Sequence, residues 1–551
     1  MKMRLGSHRI DTLGWSEFLL PALFLCAGLL LIALPQSHYF SAIPGGLADP
    51  RFNNLILEHL FRWVRGIDEN LWSPGFFFPY RGVLAFSDNH FGTGGVYVLL
   101  RAIGLGTENS YVGWFTAAFA INYACCFYAL RKFGVSLLGS SVGAFVFTFA
   151  FPAISQSAHA QLGYRFAVPL AALAWTQFLD RGDFRFLTRA IVWSTVQFFC
   201  SIYIGYLLLL LLGAYLIARY ATSMGHSALP PPHRRVMEGF NQADSRDVRR
   251  NVAIILICGV ALVLFFYPYA YYSNVYGFGR GAVEIGSMLP RLKSYLLADV
   301  SFLWSGISAS IDDIPARQEH QMFFGAAAWI LAAVGTIKST NRGTRISAIA
   351  LFVLIALTLS VHEFSLYRIL ESLPLSNAIR AVSRICLVML FPVALMVGSG
   401  VDWLGSSVTG RNFYKLSIAA VLVIALVVEY STINVSAVSI QELRNRLTAL
   451  KTMAPDPLPA DAIIFVPRRS QESFHMTELD GMSLAQTLNR NTLNGYSGNA
   501  PPGFYNSETD PCVDLGVRLA DYALFMQMSE SQYLALIKRV FVVDEQLRCT
   551  R

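Results

Sequence analysis

Residues 187–218 read LTRAIVWSTVQFFCSIYIGYLLLLLLGAYLIA. The run holds a single charged residue, Arg189, near its start. It is much longer than the about 20 apolar residues that cross a bilayer as one helix. One continuous helix would overshoot the hydrocarbon, so we predict two spans, 187–201 and 203–218, with a break in the segment SIYIG at 201–205. This run alone indicates a membrane protein.

The composition of the whole chain agrees with this interpretation. Of the 551 residues, 54% are apolar and only 14% are charged, whereas a soluble globular domain has about 25% charged residues. The mean hydropathy is +0.47. These values exclude a soluble cytosolic enzyme, a disordered regulator and a disulfide-rich secreted module. The net charge of +8 does not indicate nucleic-acid binding, because the basic residues flank apolar segments instead of clustering on a soluble face.

The apolar segments predict an all-α polytopic membrane domain of about eleven transmembrane helices. Lysine and arginine are about three times denser in the short loops of one side, so the positive-inside rule places the N-terminus in the cytoplasm. The first apolar segment is long and lacks a cleavage-site pattern, and we interpret it as a retained helix. The predicted spans are 16–36, 110–130, 137–153, 166–179, 187–201, 203–218, 251–270, 322–337, 346–361, 385–402 and 414–432.

Two domains follow from this pattern. Residues 1–432 form the membrane domain, which includes two large outward loops at 37–109 and 271–321. Residues 433–551 form a C-terminal extracytoplasmic domain of mixed α/β type. In it we predict strands at 461–467 and 540–544 and helices at 482–488 and 510–526. Cys512 and Cys549 lie in this domain, where a disulfide between them is one alternative and two free thiols are the other.

The first outward loop has its own pattern. In Ala48-Asp49-Pro50, proline stands at a helix start and Asp49 is positioned as the N-cap. The following segment, 51–65, is amphipathic and suited to lying on the membrane surface. Glu58 and His59 fall on its solvated face. A second interfacial helix is predicted at 94–105, because that apolar stretch is too short to span comfortably.

Several short segments resemble the GT-C superfamily of integral membrane glycosyltransferases, and most closely its YfhO-like and related bacterial members. The chain departs from some members of the superfamily at 155–165, SQSAHAQLGYR, which contains no carboxylate. A metal site shared between the first two outward loops is therefore not supported. No cofactor is certain, and a divalent cation remains an open alternative. The resembling segments are ADPRFNNLILEH (48–59), FPY (78–80), LAFSD (84–88), LP (373–374), IRAVSR (379–384), LNGYSG (493–498) and PP (501–502).

The resemblance implies sugar transfer from a polyprenyl-phosphate donor to an acceptor on the outer side of a bacterial inner (plasma) membrane. The acidic residue of the first loop, here Asp49, then belongs to the active site. A carboxylate near the sugar C1 supplies a general base for inverting transfer, and arginine binds the departing phosphate. For Asp49 the alternative role is a plain helix cap.

We predict that further polar residues bind substrate. Arg380 and Arg384, four residues apart, would share a helix face and hold the donor phosphate, unless they only snorkel to headgroups. His90 and Asp88 lie in the first loop and could instead form a polar turn, and His159 could be a solvated histidine. The complete predicted set for substrate binding is Asp88, His90, His159, Gln161, Arg280, Glu284, Glu319, His320, Arg380 and Arg384.

The main hypothesis is thus a glycosyltransferase that modifies an envelope glycan, lipid or protein. Its partners would be the donor lipid, this acceptor and membrane lipid, with no nucleic acid. One alternative is a transporter or flippase of lipid-linked saccharides, although few ionisable residues fall at mid-membrane, where transporters often have them. Another is a non-catalytic assembly partner, which predicts that Asp49 is dispensable. No nucleotide-binding motif is present. An outward site also has no supply of nucleotide sugars, which favours a lipid-linked donor.

Overall fold

The computed structural model describes residues 15–224, 230–372, 379–405, 413–469, 472–504 and 510–544. The chain is mainly helical. Its helices are α1 (Trp15–Gly28), α2 (Asp49–Val64), α3 (Gly94–Ala102), α4 (Thr107–Lys132), α5 (Leu137–Phe149), α6 (Phe151–Ser155), α7 (Ala167–Arg181), α8 (Phe184–Cys200), α9 (Ile202–Met224), α10 (Pro232–Gln242), α11 (Ser245–Tyr276), α12 (Ala282–Ser287), α13 (Ser305–Ala309), α14 (Ala326–Lys338), α15 (Arg342–Thr358), α16 (Cys386–Gly405), α17 (Phe413–Ser431), α18 (Ile440–Met453), α19 (Phe474–Leu488), α20 (Pro511–Phe525) and α21 (Glu530–Ile537). The strands are β1 (Ala42–Pro44), β2 (Ala437–Ser439), β3 (Ile463–Phe465), β4 (Asn491–Thr492) and β5 (Val540–Val542).

A helix occupies each of the eleven predicted apolar segments. Among the described residues, seven helical segments are long and apolar enough to cross a membrane. The helices α7, α8, α14 and α15 have 15, 17, 13 and 17 residues, which is shorter than a typical span. Helix lengths therefore support a multi-pass membrane protein and do not establish a count of eleven. The seven segments are Glu17–Ser37, Thr107–Lys132, Leu137–Ser155, Ile202–Met224, Ser245–Tyr276, Val382–Gly405 and Tyr414–Ser431.

The predicted break in the long apolar run is confirmed. Helix α8 ends at Cys200, Ser201 is extended, and α9 begins at Ile202. Asp88 stabilises the break, because its carboxylate accepts hydrogen bonds from the backbone N–H of Ile202 (3.0 Å) and the hydroxyl of Ser201 (3.1 Å). A side chain from the first outward loop thus caps the start of a membrane helix.

Helix α16 lies at the centre of the bundle, with 94% of its apolar segment buried. It packs closely against α14 and α5 through glycines. A Cβ at Gly335 would lie 2.0 Å from the carbonyl oxygen of Met396, and one at Gly400 would lie 2.1 Å from that of Leu331. Small residues permit such backbone approach between membrane helices. By contrast, only 11% of the apolar segment of α11 is buried, so this helix lies at the edge of the bundle.

The C-terminal region combines helices with a small sheet. Strands β4, β3 and β5 form a parallel sheet in that order, and α19 and α20 cover the predicted helical segments. Strand β2 pairs antiparallel with β1 of the first outward loop, with Ala42 opposite Ser439. This pairing ties the C-terminal region to the loop that carries Asp49. Cys512 takes part in a disulfide, whereas Cys549 lies outside the described residues.

Helix α2 differs from its prediction in two ways. The N-cap position is Ala48, and Asp49 is already the first helical residue, with no side-chain capping bond. The helix is also largely buried, against α3, α4 and α19, instead of lying free on a surface. Glu58 and His59 are buried and not solvated, because Glu58 pairs with Arg101 (2.8 Å) and His59 contacts Asp68 (2.7 Å).

Candidate active site

A cavity of about 660 Å³ opens where the membrane helices meet the C-terminal region. The start of α2, the loop before α3, the start of α9, part of α11 and the loop at 496–499 form its walls. Seven of the eleven predicted site residues line it, although they come from segments far apart in the chain. These are Asp49, Asp88, His159, Gln161, Arg280, Arg380 and Arg384.

Asp49 is positioned by two partners inside this cavity. The hydroxyl of Tyr496 donates to its Oδ1, and Nε2 of His159 lies 3.2 Å from its Oδ2. The side chain remains 28% exposed, enough for a ligand to reach it. The carboxylate therefore faces the cavity and not the N–H groups of its own helix, which is why the predicted capping bond is absent.

His159 joins Asp49 to a buried ion pair. Its Nε2 is also 3.8 Å from Oε1 of Glu319, and both Nε and Nη2 of Arg384 donate to Glu319 at 2.9 Å. Burial raises the pKa of the Glu319 carboxyl, but the charge and hydrogen bonds of Arg384 outweigh this effect and lower it to about 2. Burial and Arg384 lower the pKa of His159, which favours the neutral ring. With carboxylates on one side, the proton is assigned to Nε2.

The two arginines of the segment 379–384 hold different positions from those predicted. Arg380 precedes a 3₁₀ turn at Val382–Ile385 and α16 begins only at Cys386, so the two do not share a helix face. Nη1 of Arg380 donates to Glu284 (3.0 Å). Within the described chain, Nε and Nη2 of Arg380 and Nη1 of Arg384 make no hydrogen bond. These donors are available to an anionic ligand.

Glu284 and Glu319 do not line the cavity, and each pairs with an arginine that does. Arg280 lies 3.7 Å from Glu284 and donates to the carbonyl oxygen of Gly498 at 2.7 Å. It thus joins the second outward loop to the C-terminal region at the cavity wall.

His90 and His320 lie behind the wall and do not line the cavity. His90 is buried, and its Nε2 is 2.8 Å from Oδ1 of Asn53. Nδ2 of Asn53 in turn donates to Oε1 of Gln161 (3.0 Å). Burial lowers the pKa of His90 to about 3, so it stays neutral. His320 contacts the hydroxyl of Ser294 at 2.8 Å and a backbone carbonyl at 3.0 Å. His90 thus holds the lining residue Asn53, whereas His320 joins the end of α12 to the turn at Leu292–Leu296.

Asp88 has an unusual environment for a carboxylate. Burial raises its pKa to about 6, against opposing hydrogen bonds from Ile202 and Ser201 and the charge of Arg384. From about pH 4 to about pH 6, the folded chain keeps a proton that the unfolded chain has lost. The free energy of unfolding therefore falls as the pH rises, by about 1.4 kcal/mol per pH unit.

Replacing Asp88 by asparagine should remove this dependence. We expect the melting temperature of wild type, relative to that of Asp88→Asn, to fall between about pH 4 and about pH 6 and then to level off. Thermal unfolding of the purified proteins in detergent measures it, with the exposed Asp313→Asn as the control. If the melting temperatures of wild type and Asp88→Asn changed in parallel with pH, the pKa of Asp88 would not be raised.

Sequence reasoning missed several cavity residues. Tyr496 lies in a segment quoted for its resemblance, but no pattern indicated that its hydroxyl reaches Asp49. Tyr203 lies at the predicted helix break, 4.8 Å from the guanidinium of Arg384, and its hydroxyl accepts the backbone N–H of Arg380 (3.2 Å). Both contacts join distant segments, so a single sequence contains no signal for them. Residues 373–374, also quoted, lie outside the described residues.

A buried network holds the loop that carries Tyr496. Nη2 of Arg518 donates to Glu478 at 2.7 Å, and these side chains are 2% and 3% exposed. The second oxygen of Glu478 accepts the backbone N–H of Gly495 at 2.7 Å. A fully paired buried network of this kind fixes the backbone locally, and Tyr496 is the next residue.

The cavity does not favour a metal ion. Of the two carboxylates near His159, Asp49 lines the cavity, whereas Glu319 does not and is paired with Arg384. The described part of the chain contains no group of three or more His, Cys, Asp or Glu residues that could hold one. The donor set fits an anion better than a cation.

Comparison with known proteins gives matches only at the level of structure, and several glycosyltransferases are among them. No protein-family model and no curated protein matches the sequence. Mycobacterial arabinofuranosyltransferase AftD is 14% identical with a TM-score of 0.48, over 81% of this chain and 29% of that one. The oligosaccharyltransferase of Archaeoglobus fulgidus is 11% identical with a TM-score of 0.49, over 88% and 65%. ArnT from Cupriavidus metallidurans, bound to undecaprenyl phosphate, is 11% identical with a TM-score of 0.44, over 97% and 96%.

The chain spans less than two thirds of the length of the first two of these proteins. All three TM-scores lie below 0.5, so none of these likenesses establishes the fold or the reaction of this chain.

Proposed function

We propose that this protein transfers a sugar, with inversion, from a polyprenyl-phosphate donor to an envelope acceptor on the outer side of a bacterial inner membrane. One observation carries the proposal. A single cavity contains the carboxylate of Asp49, which two partners align. The same cavity contains Arg380 and Arg384, each with free N–H groups. A base and a phosphate site in one cavity are what this reaction requires. The resemblance of the quoted segments supports the same class.

Asp49 acts as the general base. The acceptor hydroxyl attacks the sugar C1, its proton passes to the Asp49 carboxylate, and the bond from C1 to the phosphate oxygen breaks. Tyr496 and His159 each direct a donor at this carboxylate, which fixes its orientation before substrate binds. The tie between His159 and the Glu319–Arg384 pair prevents the ring from turning away.

Arg380 and Arg384 receive the departing phosphate. The leaving group gains negative charge as the C1–O bond breaks, and guanidinium N–H groups stabilise such charge in a site shielded from water. Each arginine keeps a carboxylate partner, so neither is left as an isolated buried charge when the donor is absent. The phosphate thus binds the N–H groups that Glu284 and Glu319 leave free.

The rest of the cavity suits a donor with a long apolar tail. Its apolar lining comes from membrane helices α8, α9 and α11 and includes Phe198, Ile202, Leu209 and Phe266. A polyprenyl chain can pass over these side chains while its phosphate stays at the polar end. The polar groups on the opposite wall, at 496–499, belong to the C-terminal region and face the acceptor.

The Tyr496 hydroxyl gives a specific prediction. Tyr496→Phe removes one hydrogen bond to a charged carboxylate, a contribution of about 1.5–3 kcal/mol, so kcat should fall about tenfold to a hundredfold. The KM for the donor should change little, because the phosphate site is untouched. Steady-state assay of the purified protein measures both, with Tyr533→Phe, in the same region, as the matched control. An unchanged kcat would show that Tyr496 has only a structural role.

The experiment that tests the function itself compares cells with and without the gene. We expect the deletion to remove one sugar from an envelope component and to accumulate its polyprenyl-phosphate form, both by mass spectrometry. Purified protein should then release free polyprenyl phosphate from that accumulated lipid when the acceptor is added. Accumulation without any release by the purified protein would instead support transport or assembly.

A further inference from the structure

A second polar cavity, of about 260 Å³, lies among the membrane helices and shares no residue with the first. It is formed by the ends of α4 and α7 and the start of α15. Its charged and polar lining residues are Lys132, Thr176, Gln177, Asp180, Arg181, Asn341 and Arg342.

This cavity lies at the opposite end of the helices from Asp49. Helix α9 connects the two regions, because Ile202 lines the first cavity and Arg219 binds Asp180 of the second. The rise from Ile202 to Arg219 is about 26 Å at 1.5 Å per residue, close to the about 30 Å thickness of the hydrocarbon. The two cavities therefore open towards opposite faces of a bilayer.

Positive charge exceeds negative charge around the second cavity. Oδ1 of Asp180 accepts from Nε of Arg219 (2.7 Å) and from Nη2 of Arg342 (2.9 Å), so one carboxylate serves two guanidinium groups. Lys132 and Arg181 add two more cations at the lining. These basic residues come from four separate loops or helix ends, all of which the positive-inside rule assigns to the cytoplasmic side.

Two guanidinium N–H groups of these basic residues have no acceptor in the described part of the chain. Nε of Arg342, a lining residue, and Nη1 of Arg219, which binds the lining residue Asp180, are buried and have no hydrogen-bond partner within the described residues. The side chain of Arg219 is only 3% exposed. Buried N–H groups are nearly always paired, and an unpaired one belonging to a cation calls for an acceptor with negative charge. The first turn of α15 contributes a positive helix end at the same place.

We propose that this cavity binds a phosphate group, carried either by an anionic phospholipid headgroup or by a soluble phosphate compound. Basic pockets between membrane helices on the cytoplasmic side bind such headgroups. Among the described residues that line the cavity, Asp180 is the only carboxylate, and Arg219 and Arg342 both pair with it. The proposal does not depend on the glycosyl transfer proposed above.

The test uses the purified full-length chain in nanodiscs of phosphatidylglycerol and phosphatidylcholine. Native mass spectrometry counts the lipids retained, and equilibrium dialysis with radiolabelled inorganic phosphate tests the soluble form. The variants are Lys132→Gln and Arg342→Gln, with Arg342→Lys to keep the charge if the neutral change impairs folding. Arg250→Gln is the matched control, because Arg250 is an exposed cation at the same end of the bundle.

Selective retention of phosphatidylglycerol that weakens about fivefold for each neutralised charge, but not in Arg250→Gln, identifies a headgroup site. Phosphate binding with the same pattern of variants and no lipid preference identifies a soluble ligand. Binding that is equal in all variants, or absent for both probes, overturns the proposal.

Discussion

Asp49→Asn should reduce kcat by about 100- to 10,000-fold, the usual contribution of a general base. Asparagine has the same shape, and its amide oxygen can still accept the hydroxyl of Tyr496, so the cavity should keep its form. The KM for donor and acceptor should therefore stay near the wild-type values. In cells, mass spectrometry should show the modified envelope component disappear and the lipid-linked donor accumulate.

The matched control for this experiment is Glu69→Gln, because Glu69 is an exposed acid in the same outward loop. Equal expression of the three proteins must be verified. Wild-type turnover by Asp49→Asn would exclude Asp49 as the base. If deletion of the gene still altered the envelope, transport or assembly would then become the leading hypothesis.

Arg384→Met should have the largest effect on stability. The side chains of Arg384 and Glu319 are 3% and 5% exposed, and removing one partner leaves the other as an uncompensated buried charge. Breaking a buried pair in this way typically costs about 3–5 kcal/mol. We therefore expect a large drop in the melting temperature of the detergent-purified protein, together with loss of transfer.

The double variant Glu319→Gln/Arg384→Met separates folding from chemistry. It contains no unpaired charge, so most of the lost stability should return. Transfer should stay low, because the N–H groups for the phosphate are still missing. If the double variant recovered activity along with stability, Arg384 would only stabilise the fold. If Arg384→Met alone were as stable as wild type, Arg384 and Glu319 would not form a buried ion pair.

The hydrophobic pattern predicted the positions of the apolar helices, because it depends on local composition. The helix break at Ser201 followed from helix length alone. The shorter helices α7 and α14 show the limit of this reasoning, since a helix shielded by neighbours need not be as long as the bilayer is thick. The two-residue strand β4 has no periodicity to detect, and only its pairing with β3 defines it.

For the candidate site, the sequence predicted some of the residues but not their partners. Residue types at loop positions identified Asp49, His159, Arg380 and four other polar residues of the lining. The sequence could not give their partners, because the ion pair of Glu319 and the hydroxyl of Tyr496 depend on how distant segments pack. The local sequence predicts that Asp49 caps its own helix. In the structure, its carboxylate instead contacts Tyr496 and His159.

The hydrogen bond between Asp49 and Tyr496 joins residues 447 positions apart, and this separation imposes an order on biosynthesis. Asp49 leaves the ribosome early, whereas Tyr496 follows only after the membrane helices have been made. The pairing of β1 with β2 must likewise wait for the segment after α17. In a nascent chain, the Asp49 carboxylate therefore lacks the Tyr496 hydrogen bond throughout membrane insertion. A prematurely terminated chain would enter the membrane without the cavity wall that contains Tyr496.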